Sequence, residues 1–332
     1  MQPTKRLTWG IISTAQINSE VIGPLQRSDR NQLLAVASRD LERARAYAAK
    51  WSIPRAYGSY DELLADPEID VVYISLPNSL HAQWTVRAAQ AGKHVLCEKP
   101  LAISTAEVDA ITAAAEANHV VVAEAFMYRH HPQTLKVQEL VASGALGKIW
   151  LVRGTFCFNL NWEKDVRLDP ELLGGSLWDV GCYPVSYART VLGREPKEAF
   201  GWQITGTSNV DLCFAGTLVF DGAVAQIDSG FRNEGRANME IVGDKASLFV
   251  AEPYLPREEV HILLKRDDKE EVIHVPAFDL YSGEVEDMAD AVLHGKPPRI
   301  SLADSRANVA AIVALYESAR AGKPLPVEPS AR

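Results

Sequence analysis

The sequence is short of cysteine, of basic runs and of long apolar stretches, and each shortage excludes a class of protein. Its four cysteines in 332 residues, Cys97, Cys157, Cys182 and Cys213, are scattered, with no C-x-x-C pair and no histidine pattern nearby. Reduced core thiols are expected, not a disulfide framework or a zinc site. Acid exceeds base, with 43 Asp and Glu against 34 Lys and Arg, for a net charge of -9. That field repels nucleic acid and anionic membranes, so neither is expected as a partner. No stretch is long and apolar enough to span a bilayer. The opening residues MQPTKRLTWG carry no apolar segment ahead of a small-residue cleavage site, and a cytoplasmic protein is expected. Repeats and low-complexity segments are also missing; only the tail KPLPVEPSAR reads as loose.

What is there is an ordinary globular composition, 47% hydrophobic and 23% charged. The length exceeds what one core usually encloses, which predicts two domains. The first third alternates Val/Ile/Leu-rich runs with amphipathic segments. LTWGII (7–12), LLAVAS (33–38), DVVYISL (70–76), HVLCE (94–98) and HVVVAEA (119–125) read as strands buried on both faces. Between them, DLERARAYAAKW opens with Asp40 as helix cap and puts Ala44, Tyr47, Ala48 and Trp51 on one face. SLHAQWTVRAAQAGK stops at Gly92, and STAEVDAITAAAEAN opens like a capping box, with Ser104 three residues before Glu107. This alternation predicts a doubly wound parallel sheet, a Rossmann domain over residues 1–126.

After Met127 the rhythm changes. One helix, HPQTLKVQELVASGALG, precedes strand-like runs with clearer alternation: IWLVRGTFCF, EAFGWQIT, VDLCFAGTLVF, AVAQIDSGF, ANMEIVGDKASLFVA and EEVHILLKR. Gly-containing turns such as Asp221-Gly222 join several of them. The expectation is an α+β domain over 127–332 with an open-faced antiparallel sheet, closed by the helices SGEVEDMADAVLHG and LADSRANVAAIVALYESARAG.

Glycine is scarce at one telling place. The turn after the first strand, Ser13 to Ile17, sits where a dinucleotide fold carries its glycines, and Ser13, Ala15 and Asn18 take the three positions. Ser and Ala are small enough to leave backbone N–H groups facing a phosphate at the helix start, so Ser13, Thr14, Ala15, Gln16 and Ile17 are cofactor candidates. Alone, this turn supports a dinucleotide site no better than a plain βα loop does. The second strand ends in Ser38-Arg39, with Arg43 one turn later, where an NAD site normally has an acid. A hydroxyl and two guanidiniums suit a 2′-phosphate, which points to NADP(H), with NAD(H) as a second possibility. A solvated arginine at a strand end is the plainer alternative.

GKHVLCEKPLAIS, with LPNSLHAQWTVRAAQAGKHV before it, then AEAFMYRHHPQ and GGSLWDVGCYPVSYARTVLG after it, resembles the glucose–fructose oxidoreductase/inositol dehydrogenase (Gfo/Idh/MocA) family over essentially the whole length. The E-K-P tripeptide is the most specific part. The chain looks closest to the branch holding NADP-dependent xylose dehydrogenases and dimeric dihydrodiol dehydrogenases. The resemblance implies hydride transfer between nicotinamide and a carbinol carbon of a sugar or related polyol. It also implies a cis bond before Pro100, Lys99 beside the nicotinamide, and self-association, with a homodimer or higher oligomer built through the second sheet. The family's second proton-handling motif reads Asp179-Val180-Gly181-Cys182-Tyr183 here, with tyrosine where many relatives carry histidine. That departure narrows the branch and puts inositol-type histidine chemistry in doubt.

The chemistry is coherent. A phenol of pKa about 10 is a poor base at neutral pH, and an ammonium within about 4–6 Å lowers it. Lys99 and Tyr183 would form such a pair, either one passing the proton, and Asp179 would bind the sugar or steady Lys99. Glu98 is expected on the nicotinamide ribose. Leu76, Asn78 and His81 flank the cofactor on the same edge, although Asn78 and His81 serve equally well as a helix cap and a first-turn polar residue. Arg167 is a candidate contact to cofactor or substrate. Phe158, Trp162 and Tyr281 are candidate walls of a sugar site, with core packing as the plainer role. No metal is expected: His130-His131 has no partner spaced to complete a site. Two rivals stand beside the sugar dehydrogenase: a trans-dihydrodiol dehydrogenase or ketosugar reductase on the same scaffold, and a non-catalytic cofactor-binding module.

Overall fold

The structure is a computed structural model that describes residues 6–161 and 165–328. Contacts divide the chain into two units. One contains the residues through Ala102, Ala106–Met127 and Tyr281–Ser305; the other contains Ile103–Thr105, Tyr128–Leu280 and the residues from Arg306 onward. The segment Tyr281–Ser305, read in the sequence as part of the second domain, clusters with the first unit.

The chain begins β1 (Leu7–Ile12), α1 (Asn18–Arg27), β2 (Asn31–Ala37), α2 (Leu41–Trp51), β3 (Arg55–Tyr57), α3 (Tyr60–Leu64), β4 (Val71–Ile74), α4 (Asn78–Gln90), β5 (His94–Glu98), α5 (Thr105–Ala117) and β6 (Val122–Ala125). It continues through α6 (Pro132–Ala142), β7 (Ile149–Asn159), α7 (Cys182–Leu192), β8 (Glu198–Thr205), β9 (Asp211–Phe220), β10 (Ala223–Gly230), β11 (Arg232–Gly243) and β12 (Ser247–Val250). The last elements are β13 (Val260–Arg266), β14 (Lys269–Val275), α8 (Ser282–His294), α9 (Leu302–Ala321) and β15 (Leu325–Pro326).

Among the described residues the first unit carries a six-stranded sheet in the order β3-β2-β1-β4-β5-β6, every pair parallel. The strand order reverses between β1 and β4. In open α/β sheets ligands bind outside the carboxyl ends of the strands at that reversal. The local reasons for this order are visible in the sequence. Asp40 caps α2 by accepting the Arg43 N–H at 2.7 Å, and Ala44 and Ala48 turn into the core. Gly92, at φ +73°, ends the α4 segment before Lys93 leads into β5.

The second unit carries a nine-stranded sheet, β14-β13-β12-β11-β7-β10-β9-β8-β15. β10 pairs with β7 in parallel; the remaining pairs among the described residues are antiparallel. One face is covered by helices. A Cβ on Gly154 would come within 2.7 Å of Pro184 in α7, and one on Gly201 within 2.4 Å of the Leu315 carbonyl oxygen in α9. Alternation along β8, with Ala199 and Gly201 inward and Phe200 and Trp202 outward, leaves the other face open.

Candidate active site

In the first unit the candidate residues gather at the carboxyl edge of the parallel sheet. The turn after β1 places Ser13 at φ +115°, a conformation that favours glycine. Serine is held there by its own hydrogen bonds. Its hydroxyl lies 2.8 Å from that of Ser75 and accepts the Ala15 N–H at 3.1 Å. Asn18, at the position of the third glycine, donates to the Ser13 carbonyl at 3.1 Å and accepts from the Ser75 hydroxyl at 2.5 Å. Asn18 therefore braces the turn. The Tyr47 hydroxyl donates to the Ala15 carbonyl at 3.4 Å. Thr14 and Ile17 are half-buried and Gln16 is exposed. The turn therefore holds a positive φ at Ser13 without a glycine there.

At the end of β2, Ser38 is buried while Arg39 and Arg43 are exposed. Both guanidiniums act on one group: burial raises the Tyr60 phenol above its ordinary range, and Arg39 and Arg43 oppose that rise. Both arginines are thus near enough to the Tyr60 ring for their charge to be felt there.

At the end of β5, the Tyr73 hydroxyl of β4 donates to Glu98 Oε1 at 2.5 Å, and the Lys99 N–H donates to Glu98 Oε2 at 3.2 Å. Burial pushes the Tyr73 phenol well above its ordinary value, with Glu98 and Glu284 adding to the rise, so Tyr73 stays a donor. The Lys99–Pro100 bond is cis and Lys99 is half-buried. Leu76 is buried behind β4. Pro77 occupies the cap position of α4, with Asn78 as the first helical residue. His81 is buried, with both ring nitrogens against backbone carbonyls of Leu76 and Pro100. Tyr281 is buried just before α8, in this same unit.

The second unit builds a separate constellation. Leu177–Gly181 forms a π-helical turn running straight into α7, so Asp179 and Tyr183 sit on successive turns. Such π-helical turns are frequent at functional sites. Gly181 permits the turn, because a Cβ there would lie 2.7 Å from Leu177 and 2.9 Å from the Ser229 hydroxyl. Arg167 Nε donates to Asp179 Oδ2 at 2.7 Å, and its Nη1 lies 3.3 Å from Asp165 Oδ1. The nearby Asp179 charge holds the Arg167 guanidinium above its ordinary pKa. Tyr183 is buried among rings, 5.7 Å from Tyr128, 5.4 Å from Phe156 and 5.5 Å from Tyr254 between centroids. Phe158 is half-buried against Phe231 at 5.3 Å. Trp162 lies outside the described residues.

Comparison with known proteins places this arrangement. A model of the oxidoreductase family with an NAD-binding Rossmann fold matches residues 7–126, and a model of the GFO/IDH/MocA C-terminal domain matches residues 134–249. The chain is 40% identical over 321 residues to D-xylose 1-dehydrogenase (NADP(+)) 2 of Haloferax volcanii, spanning 95% of this chain and 98% of that one. The chain belongs to the Gfo/Idh/MocA family. It is 38% identical over 193 residues, 58% of either chain, to trans-1,2-dihydrobenzene-1,2-diol dehydrogenase of Xenopus laevis. A crystal structure of a 3-ketoreductase from Actinomadura kijaniata with NADP and TDP-benzene superposes with TM-score 0.90 at 28% identity, covering 95% of this chain and 98% of that one.

As a Gfo/Idh/MocA member the chain is an oxidoreductase with a nicotinamide-dinucleotide domain. Within that frame the sequence reading missed three links: Tyr73 to Glu98, Arg167 to Asp179, and Asn18 to the Ser13 turn. Of these, only Arg167 to Asp179 carried a hint, as an arginine and an acid in adjoining motifs of the same stretch.

Proposed function

We propose that the protein oxidises or reduces a carbinol or carbonyl carbon of a sugar, an aldose such as xylose or glucose, or of a related cyclic diol, using NADP(H). One observation carries the reading: the Glu98-Lys99-Pro100 turn stands on a buried Tyr73–Glu98 hydrogen bond at the carboxyl edge of a parallel sheet, where the strand order reverses. The bound nicotinamide supplies hydride transfer. The residues of this chain supply the rest. The Ser13–Ile17 turn receives the pyrophosphate, and Ser38, Arg39 and Arg43 receive the 2′-phosphate. Lys99 polarises the substrate oxygen and favours its ionised form, Tyr183 takes or returns the proton, and Asp179, oriented by Arg167, binds a substrate hydroxyl.

Three measurements test this. Turnover of aldoses, ketosugars and a trans-dihydrodiol with both nicotinamides should show an aldose preferred and NADP(H) bound more tightly than NAD(H). Arg39→Ala should shrink that cofactor preference roughly 10-fold, the scale of a hydrogen bond to a charged group. Lys99→Ala and Tyr183→Phe should each lower kcat about 10²- to 10⁴-fold while leaving the cofactor Kd near that of the wild type. If both serve one proton step, the double variant loses little beyond either single one. Unchanged turnover in Lys99→Ala would overturn the mechanism and favour the non-catalytic reading.

No helix among the described residues is long and apolar enough to cross a membrane. We propose cytoplasmic residence and self-association through the open face of the nine-stranded sheet. Support for the latter comes from the exposed Trp202, Ile204, Phe249 and Val272 on its strands.

A further inference from the structure

His81 is 1% exposed and both of its ring nitrogens meet backbone oxygens. Nδ1 lies 2.7 Å from the Pro100 carbonyl oxygen and Nε2 lies 2.6 Å from the Leu76 carbonyl oxygen. A carbonyl oxygen only accepts, so each contact requires a proton on the ring. Neutral imidazole carries a single N–H and would turn one nitrogen lone pair toward an oxygen lone pair. Both separations are at the short end for N–H···O bonds, where charge-assisted bonds fall. The carbonyls belong to two turns of the same sheet edge, one after β4 and one directly after Lys99.

We propose that His81 is a positioning residue for hydride transfer: in its doubly protonated form it donates to both carbonyls and ties the turn after β4 to the Glu98-Lys99-Pro100 turn, so that cofactor and ammonium share one frame. The role rests on the reading of this edge as the cofactor site; the tie itself does not. Burial works against the ring's charge and pulls its pKa below the ordinary value, the Lys99 ammonium pulls the same way, and the two carbonyls oppose. Of the other titratable groups on the neighbouring strands, Glu124 accepts the Leu101 N–H at 2.9 Å and His94 Nδ1 accepts the Val121 N–H at 2.9 Å. Tyr73 and Glu98 are bonded to each other, and burial keeps the Cys97 thiol protonated. Arg87, farther along α4, pairs with Asp61. His81 therefore has two states. On the acid side of its titration both turns are held; above it one N–H remains, one carbonyl is released, and the turns uncouple.

The test uses the whole protein. Nitrogen NMR of labelled histidine, across about pH 5 to 9, is expected to show N–H at both His81 nitrogens on the acid side and at one on the alkaline side. NADP(H) affinity is measured over the same range for wild type and His81→Gln, whose amide does not titrate; in their ratio the protonation of the 2′-phosphate cancels. Wild type should bind roughly 3- to 10-fold more tightly on the acid side, the gap closing above the ring's titration, as expected for one hydrogen bond. Binding and protonation are reciprocal, so saturating NADP(H) should also move the wild-type ring's titration to higher pH, which serves if His81→Gln folds poorly. A single neutral tautomer at every pH, a ratio constant with pH, or a titration point unmoved by cofactor overturns the proposal. If neither protein binds NADP(H) while the ring titrates as expected, the cofactor reading has failed and the role with it, leaving only the tie.

Discussion

Glu284 of α8 is an acid with nothing to donate to it. It is 1% exposed, and neither carboxylate oxygen has a hydrogen-bond partner. Burial raises its pKa well above the ordinary value of 4.5, and the charges of Glu98 and Asp287 raise it further. The folded protein therefore binds this proton more strongly than the unfolded chain does. Stability from that difference is fully present below the unfolded value and is lost as pH rises from there through the folded value. Glu284→Gln copies the protonated shape without the titration. Its Tm should match wild type near pH 4.5 and exceed it by a few degrees at pH 7 to 8, the gain growing with pH, as read by calorimetry. An equal or lower Tm at pH 8 would show the carboxylate to be favourably solvated. Glu284 also marks where residue-scale reading of the sequence stops. Glu98 and Lys99 are legible because E-K-P is a local signature. The hydrogen-bond partner of Glu98, Tyr73, stands 25 residues before it, and Glu284, whose pKa the Glu98 charge raises, lies in a segment that rejoins the first unit late in the chain. No local pattern announces either.

The informative element is the loop Asp165–Gly175 leading into the π-helical turn. Arg167 reaches Asp179 because the loop folds back on itself: the Gly175 N–H donates to the Arg167 carbonyl at 2.9 Å, and Gly174 packs against the same group. A Cβ on Gly174 would stand 2.2 Å from the Arg167 carbonyl oxygen. Because the obstacle is backbone, the loop has to move. Gly174→Ala should thus act through Arg167. We expect kcat/KM to fall about 10-fold or more, the cost of misplacing a residue that orients substrate, with global stability lowered by roughly 1–3 kcal/mol. Steady-state kinetics beside denaturant melts separate the two, and wild-type kinetics in a destabilised variant would refute the coupling. Elements in this chain were legible where burial imposed a period. β1, β5 and β8 fall on the runs LTWGII, HVLCE and EAFGWQIT. The run ANMEIVGDKASLFVA instead divides into β11 and β12 at the polar turn Gly243-Asp244-Lys245, whose adjacent exposed Asp244 and Lys245 break the alternation and mark the division in the sequence itself. The strand β14 went unread because six of its seven residues are not buried, and its charges resemble a solvated loop.

For the whole molecule, the open face of the second unit's sheet is the feature that a lone chain leaves unexplained. Its centre is polar and internally satisfied: Arg153 bridges Glu240 and Gln226, and Arg236 pairs with Asp228 at 2.7 Å. Its two sides are apolar. Trp202 and Ile204 on β8 are 63% and 62% exposed, while Phe249 on β12 and Val272 on β14 are exposed at the far side. Indole, phenyl and branched aliphatic side chains exposed across one surface forgo burial of about 25 cal/mol per Å². A two-fold axis along the strands would lay the β8 side of one copy on the β12–β14 side of the other, matching apolar to apolar around a polar middle. On this account sedimentation of the wild type should give at least twice the 36.4 kDa chain mass. Trp202→Asp, a change at an exposed position that costs the monomer little, should raise the dissociation constant 100-fold or more, on the order of an interface aromatic anchor replaced by a charge. Far-ultraviolet dichroism should remain that of the wild type, because on the other face of β8 Gly201 still packs against Leu315 and Ser318 of α9. A wild type that sediments as a single chain at micromolar concentration would leave this face to some other occupant and remove self-association from the reading.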